Sequence, residues 1–197
     1  MTESPVTESP LTELTSAVVV RTSRDSDVEP MLAIYRRHIR RGIEAGVEDT
    51  GVPQPDDLRA RRKNLRSRKL PHLVATLDGE VVGYAYVVHF RKRPAYRFAV
   101  KHSVYVRHDH VGRGIGSLLM QPLIDACAAA GFRQMIGYID AENTASLRLH
   151  ERFGFAKVGL LPGVAWRYGK WSDSVLVQRS LGAGSTLPIA SPGAGSL

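Results

Sequence analysis

The stretch KHSVYVRHDHVGRGIGS, residues 101–117, restricts the fold more than any other part of this chain. An apolar β-type run, SVYV, leads through a short charged loop into glycines at positions 112, 114 and 116, and an apolar helix pattern follows directly. A strand that enters a helix through glycines presents unpaired backbone N–H groups and the positive end of the helix dipole. The pattern therefore predicts a phosphate cradle, with an ordinary tight turn as the alternative.

Two common nucleotide motifs do not account for this turn. GRGIGS approaches the dinucleotide fingerprint G-x-G-x-x-G, and Asp140 follows at the end of the next predicted strand, where a ribose ligand would be placed. However, Ser117 replaces the third glycine, and the turn follows an antiparallel hairpin in mid-chain. The Gly-Lys-Ser/Thr of a mononucleotide P-loop is also absent. A different phosphate-bearing ligand is favoured.

The rest of the pattern predicts an α+β fold around one mixed sheet, because hairpins alternate with strand–helix–strand units. The predicted strands are 18–21, 72–77, 80–90, 100–107, 133–139 and a closing pair after 155. The predicted helices begin among the Ser and Asp residues of 23–27 and near 55, 114 and 143. Pro122 is expected to kink the third helix or to force a local adjustment.

The chain is long enough, at 197 residues with 43% hydrophobic content, to bury one full core. We expect a polar, disordered leader at 1–16, a single domain at 17–182 and a Gly/Ser/Pro-rich flexible tail at 183–197. No signal peptide or transmembrane run is visible, and Cys127 lies in an apolar helix pattern. A buried thiol and a cytoplasmic location are the resulting expectations.

The formal net charge of +8 is concentrated in RRHIRR (36–41) and RARRKNLRSRK (59–69). A solvated helix face is the favoured interpretation, and a surface for acidic ligands or nucleic acid is the alternative. Neither run contains aromatic residues that would stack on bases, which makes a nucleic-acid partner less favoured.

The glycine turn and a second motif together resemble the GNAT superfamily of N-acetyltransferases. In that superfamily a strand precedes Q/R-x-x-G-x-G/A, which falls here on Val111–Gly116 with valine at the first position. N-x-x-S-x-x-x-H-E-x-x-G-F, from Asn143 to Phe155, is similar to the second motif. RPAYRF (93–98), SVYV, RLHERFGF and YGKWSD further resemble phosphinothricin and methionine sulfone or sulfoximine acetyltransferases.

This resemblance implies a three-layer GNAT fold, with a mostly antiparallel sheet flanked by helices, and acetyl transfer from acetyl-CoA to a small acid-bearing amine. It also implies a homodimer and no metal. The residues it places against acetyl-CoA are Val104, Tyr105, Val106, Gly112, Arg113, Gly114, Ile115, Gly116, Ser117 and Asn143. Those it places at the acceptor site are Arg91, Lys92, Arg93, Lys101, His102 and Ser103.

The catalytic base is the point of departure from the subfamily. Acetyl transfer needs a neutral amine, so its proton must leave to a base or to water. Two residues before SVYV the subfamily typically has a glutamate, whereas this chain has Lys101. Lys101 is expected to pair with an acid group of the acceptor while Glu48 acts as base, or while His150 or His102 does so through water. A catalytically weak acyl-CoA-binding or regulatory protein is the alternative function, and a nucleic-acid-binding module is a less favoured one.

Each candidate residue also has a purely structural interpretation. Asn143 could be a helix N-cap, His150 a hydrogen-bonded core histidine, and His102 a solvent-facing strand residue. Arg91 and Arg93 suit a carboxylate or phosphinate, but a basic surface loop would carry the same residues. Other candidates with a bland interpretation are Glu48, as a solvated loop charge, and Tyr168 and Trp171, as core or dimer-contact aromatics.

Overall fold

One seven-stranded mixed sheet organises the computed structural model, which describes residues 17–40, 53–167 and 169–187. The strands are β1 (Val19–Thr22), β2 (His72–Leu77), β3 (Glu80–His89), β4 (Ala99–Val106), β5 (Gln134–Asp140), β6 (Ala156–Arg167) and β7 (Lys170–Ser180). Their order is β1-β2-β3-β4-β5-β7-β6, and every neighbouring pair is antiparallel except β4–β5. The predicted α+β fold is confirmed.

Helices cover both faces of this sheet. They are α1 (Val28–Arg40), α2 (Pro55–Ser67), α3 (Ile115–Ala129) and α4 (Thr144–Arg152). On one face Met31 and Leu32 of α1 and Leu58 of α2 pack with Val74 and Tyr84. On the other face α3 and α4 pack over the alternate residues of the same strands. The result is a three-layer arrangement in which strand alternation decides which layer a side chain meets.

The third helix tolerates its proline. α3 runs through Pro122 without a break, and it buries one stripe that includes Leu119, Leu123 and Cys127. The burial of this stripe outweighs the backbone hydrogen bond that a proline forgoes. The predicted buried thiol is confirmed, and burial raises the pKa of Cys127 to about 12.

The basic run of α2 is only partly a solvated face. Arg59 lies on the surface, where it bridges Asp56 and Glu29. Arg62, in contrast, is buried, donates to the Ser23 carbonyl over 3.1 Å and pairs with Asp25. The charge pattern of α2 therefore does not predict the burial of Arg62. Its long aliphatic stem adds to the apolar packing on the inner edge of the helix.

Strands β4 and β5 pair over a short stretch and then separate. They pair over Ala99–Lys101 alone among the described residues, although β4 continues to Val106 and β5 to Asp140. The Arg107 N–H donates to Val82, and the Ala99 carbonyl accepts from β3's continuation, so odd-numbered residues of β4 turn their backbone groups toward β3. By alternation the N–H groups of residues 104 and 106 point to the open side.

Candidate active site

The glycine turn lies between the end of β4 and the start of α3. Gly112 and Gly114 both have a φ of +79°, and Gly114 is the left-handed N-cap of the helix. A Cβ on either glycine would meet nothing within 4 Å. These two glycines are therefore required by backbone conformation and not by crowding, and the turn faces open space. The N–H groups of the first helical turn point into that space, which suits an anion.

The third glycine of the motif has a different task. A Cβ on Gly116 would lie 3.1 Å from Cδ2 of Leu149, so its absence lets α3 approach α4 closely. Ser117, one position on, lies with its hydroxyl 3.4 Å from Nη1 of Arg152 on α4. The motif thus combines an open anion-binding turn with a tight helix–helix contact.

The residues predicted to line the acceptor site divide between two faces of β4. Lys101 is exposed, with Nζ 5.8 Å from the centre of the Tyr138 ring, and Ser103 and Tyr105 follow on the same face by alternation. His102 lies on the opposite face with only 5% of its surface exposed. The interpretation of His102 as a solvent-facing residue is wrong, and 101–103 do not present one continuous surface.

His102 instead meets His150 in the interior. Their Nε2 atoms are 2.8 Å apart, His102 Nδ1 lies 2.9 Å from the Ile136 carbonyl, and His150 Nδ1 lies 2.7 Å from the Ser146 carbonyl. Burial by itself disfavours a charged ring and lowers the pKa of both imidazoles. All four ring nitrogens are engaged within the protein, which matches the core interpretation of His150 and leaves neither ring a nitrogen for a substrate.

Asn143 caps α4. Its Oδ1 accepts from the Ser146 N–H over 3.0 Å, as the N-cap interpretation requires. The cap fixes the start of the helix that carries His150 and Leu149. Any contact of Asn143 with a ligand would come from its side-chain nitrogen.

The segment between β3 and β4 is an exposed basic loop. Arg91, Lys92 and Arg93 all lie on it with exposed side chains, and the Arg91 guanidinium stacks over Phe90 and Tyr96 at 5.3 and 5.6 Å. Glu48, the remaining predicted catalytic residue, lies outside the described residues.

A cluster of aromatic side chains beside this region was not anticipated from the sequence. Tyr105 packs against Tyr84 at 4.9 Å and against Tyr35 of α1 at 5.6 Å between ring centres. His38 of α1 contacts the same ring and places Nε2 3.1 Å from the Val106 carbonyl. The alternation in SVYV indicated the face of Tyr105, but α1 could not be placed over it from local pattern.

The part of the chain that the structure describes holds no group of three or more His, Cys, Asp or Glu side chains arranged to bind a metal ion. Its helices are too short or too polar for any of them to cross a membrane. A cavity of about 250 Å³ lies between α1 and the loop after β4, lined by Ile34, His38, Val81 and Val111 among others.

Comparison with known proteins bears on the same region. Residues 36–155 match the acetyltransferase (GNAT) family. A phosphinothricin N-acetyltransferase of Alcaligenes faecalis is 44% identical over 173 residues, which cover 86% of each chain. An L-methionine sulfoximine/L-methionine sulfone acetyltransferase of Pseudomonas aeruginosa is 36% identical, over 82% of this chain and 94% of its own.

Solved structures give the same result. A GNAT superfamily phosphinothricin acetyltransferase from Sinorhizobium meliloti, in complex with acetyl-CoA, superposes with a TM-score of 0.81 at 35% identity, covering 90% of this chain and 94% of its own. An N-acetyltransferase from Staphylococcus aureus gives a TM-score of 0.78 at 32% identity, over 85% and 100%. The predicted resemblance is confirmed. The chain belongs to the acetyltransferase (GNAT) family and is an acetyl-CoA-dependent N-acetyltransferase.

Proposed function

We propose that this enzyme acetylates the amino group of a small, acid-bearing molecule such as phosphinothricin or methionine sulfone. The observation that carries the proposal is an open strand edge that runs along β4 from an exposed lysine, Lys101, near the start of the strand to a glycine turn after its end. The relatives named for these acceptors support it, since their alignments span most of this chain. A single buried cysteine, Cys127, is in keeping with a cytoplasmic enzyme.

Acetyl-CoA would lie along the open edge of β4. Backbone groups of Val104 and Val106 point there and can hydrogen-bond an extended amide-bearing arm, whereas the N–H of Tyr105 turns toward β3. The turn Gly112–Ser117 would hold the diphosphate, mainly by the N–H groups of Gly112–Gly116 because that of Ser117 donates to the Gly114 carbonyl over 2.9 Å. The exposed guanidinium of Arg113 adds positive charge. Ile115, which is buried, anchors the turn to the core, and Asn143 completes the set through its side-chain nitrogen.

The chemistry is an acyl transfer without a covalent enzyme intermediate. The neutral amine attacks the thioester carbon, a C–N bond forms, and the carbonyl oxygen becomes an oxyanion that a backbone N–H near Val106 would stabilise. The C–S bond then breaks, the amine nitrogen loses its proton, and the thiolate leaves with little need of acid help. Glu48 is our candidate for receiving that proton, because the ring nitrogens of His102 and His150 are already engaged.

Lys101 is proposed to bind an acid group of the acceptor, with Arg91 and Arg93 closing around it. Lys101→Met should raise the acceptor KM about tenfold with a smaller change in kcat, since a charge-assisted contact contributes about 1.4 kcal/mol to binding. Release of CoA thiol from acetyl-CoA would be followed with phosphinothricin, methionine sulfone, methionine sulfoximine and ordinary amino acids. Lys157→Met, on an exposed position of β6, is the matched control.

The same assay on Lys101→Glu tests whether the site is competent as it stands. Turnover by the wild type on any acceptor would establish that Lys101 is compatible with catalysis. If the wild type released no CoA thiol with any acceptor while Lys101→Glu did, the result would contradict the proposal and indicate a site that has lost its base.

We further propose a homodimer that forms through the β6–β7 hairpin. This hairpin exposes an unusual number of large apolar side chains, including Val164 at 52%, Trp166 at 52% and Trp171 at 65% of their surface. Trp166→Glu with Trp171→Glu should convert the dimer mass, measured by light scattering after gel filtration, to that of a monomer. Val19→Glu, exposed on the opposite sheet edge, should leave the mass unchanged. A monomeric wild type would refute the dimer.

A further inference from the structure

The buried histidine pair lies where the sheet opens. Lys101 is the last β4 residue that pairs with β5, opposite Ile136, and His102 is the next residue along β4. The ring of His102 reaches Ile136 by a side-chain contact at the point where backbone pairing stops, and His150 joins it from α4. The two rings therefore tie β4, β5 and α4 together at the mouth of the open edge.

The proton count of the pair follows from its partners. A backbone carbonyl accepts hydrogen bonds and cannot donate them, so His102 Nδ1, 2.9 Å from the Ile136 carbonyl, carries hydrogen. His150 Nδ1 lies 2.7 Å from the Ser146 carbonyl and 3.4 Å from the Ser146 hydroxyl, and the shorter contact, to a group that only accepts, places hydrogen on this atom too. If both rings were neutral, each Nε2 would then be an unprotonated acceptor. Two lone pairs would face each other over 2.8 Å, an arrangement that repels.

We propose that His102 and His150 share a single proton between their Nε2 atoms, so that the pair is a buried monocation that positions the acetyl-transfer site. Three protons on four ring nitrogens satisfy all three contacts at once. The effect on transfer rests on the proposed function, whereas the shared proton does not.

Burial opposes the shared proton. It lowers the pKa of each ring considered alone, because a charged imidazole loses its hydration when it is buried. The contacts decide between the two, because a neutral pair would place two lone pairs against each other, either between the Nε2 atoms or between a bare Nδ1 and a backbone carbonyl. The charge-assisted hydrogen bond between the two Nε2 atoms offsets the loss of hydration of the charged ring.

The surroundings of the pair are uncharged. The groups that face it are the Gly137 backbone of β5, Val177 of β7, Ser146 of α4 and the ring of Phe155. The nearest ionisable neighbours along the two elements, Lys101 and Glu151, are exposed on the surface. On β7 Arg179 lies two residues after Val177 and donates to the Phe153 carbonyl. The groups in contact with the pair therefore include no carboxylate among the described residues, and its charge is held by hydrogen bonds alone.

Nitrogen-15 NMR of histidine-labelled wild-type protein tests the proton directly, with signals assigned through His150→Gln. We expect both Nδ1 atoms to be protonated and the two Nε2 atoms to share one proton. A neutral ring protonated on Nε2, with a bare Nδ1, would overturn the proposal, as would two neutral rings protonated only on Nδ1. This result does not depend on acetyl transfer, so it fails separately from the proposed function.

The pH dependence of unfolding provides a second test with a defined sign. Two unfolded histidines lose their protons near about pH 6.5, whereas the folded pair keeps one. Between pH 7 and about 8, below the range in which the unfolded Cys127 thiol titrates, the folded state then binds more protons than the unfolded state, and the free energy of unfolding should fall as pH rises. Over this interval the fall should be missing in His102→Gln with His150→Gln and present in His108→Gln, an exposed control. A wild type whose free energy of unfolding stays level over the same interval would refute the inference.

Discussion

Replacing Gly114 by valine is expected to weaken acetyl-CoA binding at least about tenfold. Gly114 has a φ of +79°, a conformation that costs a side-chain-bearing residue about 1–2 kcal/mol and a β-branched one more. The variant relieves this strain by rebuilding the turn, which turns the N–H groups of the first helical turn away from the diphosphate. Isothermal titration of acetyl-CoA measures the change, and 1.4 kcal/mol corresponds to a factor of ten.

The opposite end of the same helix offers a matched control. Gly131 has a φ of +83°, and a Cβ there also meets nothing within 4 Å. Gly131→Val should therefore lose a similar free energy of unfolding and keep the wild-type affinity for acetyl-CoA. Equal affinity in both variants would contradict the role assigned to the turn, since it would show that left-handed backbone at Gly114 serves the fold alone.

Replacing Gly137 by alanine is expected to lower the free energy of unfolding by about 2–3 kcal/mol, because the added methyl overpacks the core. The Cβ would lie 2.8 Å from Cε1 of His102 and 2.9 Å from Cγ2 of Val177. Neither neighbour can move away easily, because the imidazole is fixed by its contacts and Val177 is buried on β7, between β5 and β6. Urea denaturation followed by circular dichroism gives the value.

Gly159→Ala is the corresponding control for this substitution. Its Cβ would meet nothing nearer than Cβ of Leu176 at 3.8 Å, so we expect a change within about 0.5 kcal/mol. Combining Gly137→Ala with His102→Ala should recover part of the loss, because the ring that clashes is gone. If the two substitutions in this cycle simply added, His102 would not be the neighbour that excludes a side chain at position 137.

Local signals in the sequence were sufficient for the features that depend on a few consecutive residues. The strand, turn and helix of 101–130 were predictable because glycines at 112 and 114 and the apolar stripe of α3 act over short distances. The buried thiol of Cys127 followed from the same stripe. Membership of the acetyltransferase (GNAT) family was likewise carried by motifs that are contiguous in the chain.

Features that depend on distant residues were not predictable in this way. His102 and His150 are separated by 48 positions, and only the path of α4 across β5 brings them together. The burial of Arg62 depends on Ser23 and Asp25, which lie at the end of another element. The sequence pattern also contains no signal for the point at which β4 and β5 stop pairing, since strand periodicity describes faces and not register.

The narrow contact between β4 and β5 has a mechanical consequence. Among the described residues β4 and β5 pair over Ala99–Lys101, and just before this stretch the Phe98 carbonyl accepts from the N–H groups of Arg133 and Gln134. The two strands are therefore joined at one end and separate beyond Lys101. An extended ligand arm that hydrogen-bonds to the free edge of β4 beyond Lys101 would take the place of the missing neighbouring strand. Binding of acetyl-CoA should thus stiffen the open end of the sheet, beyond the contacts that already join β4 to β5.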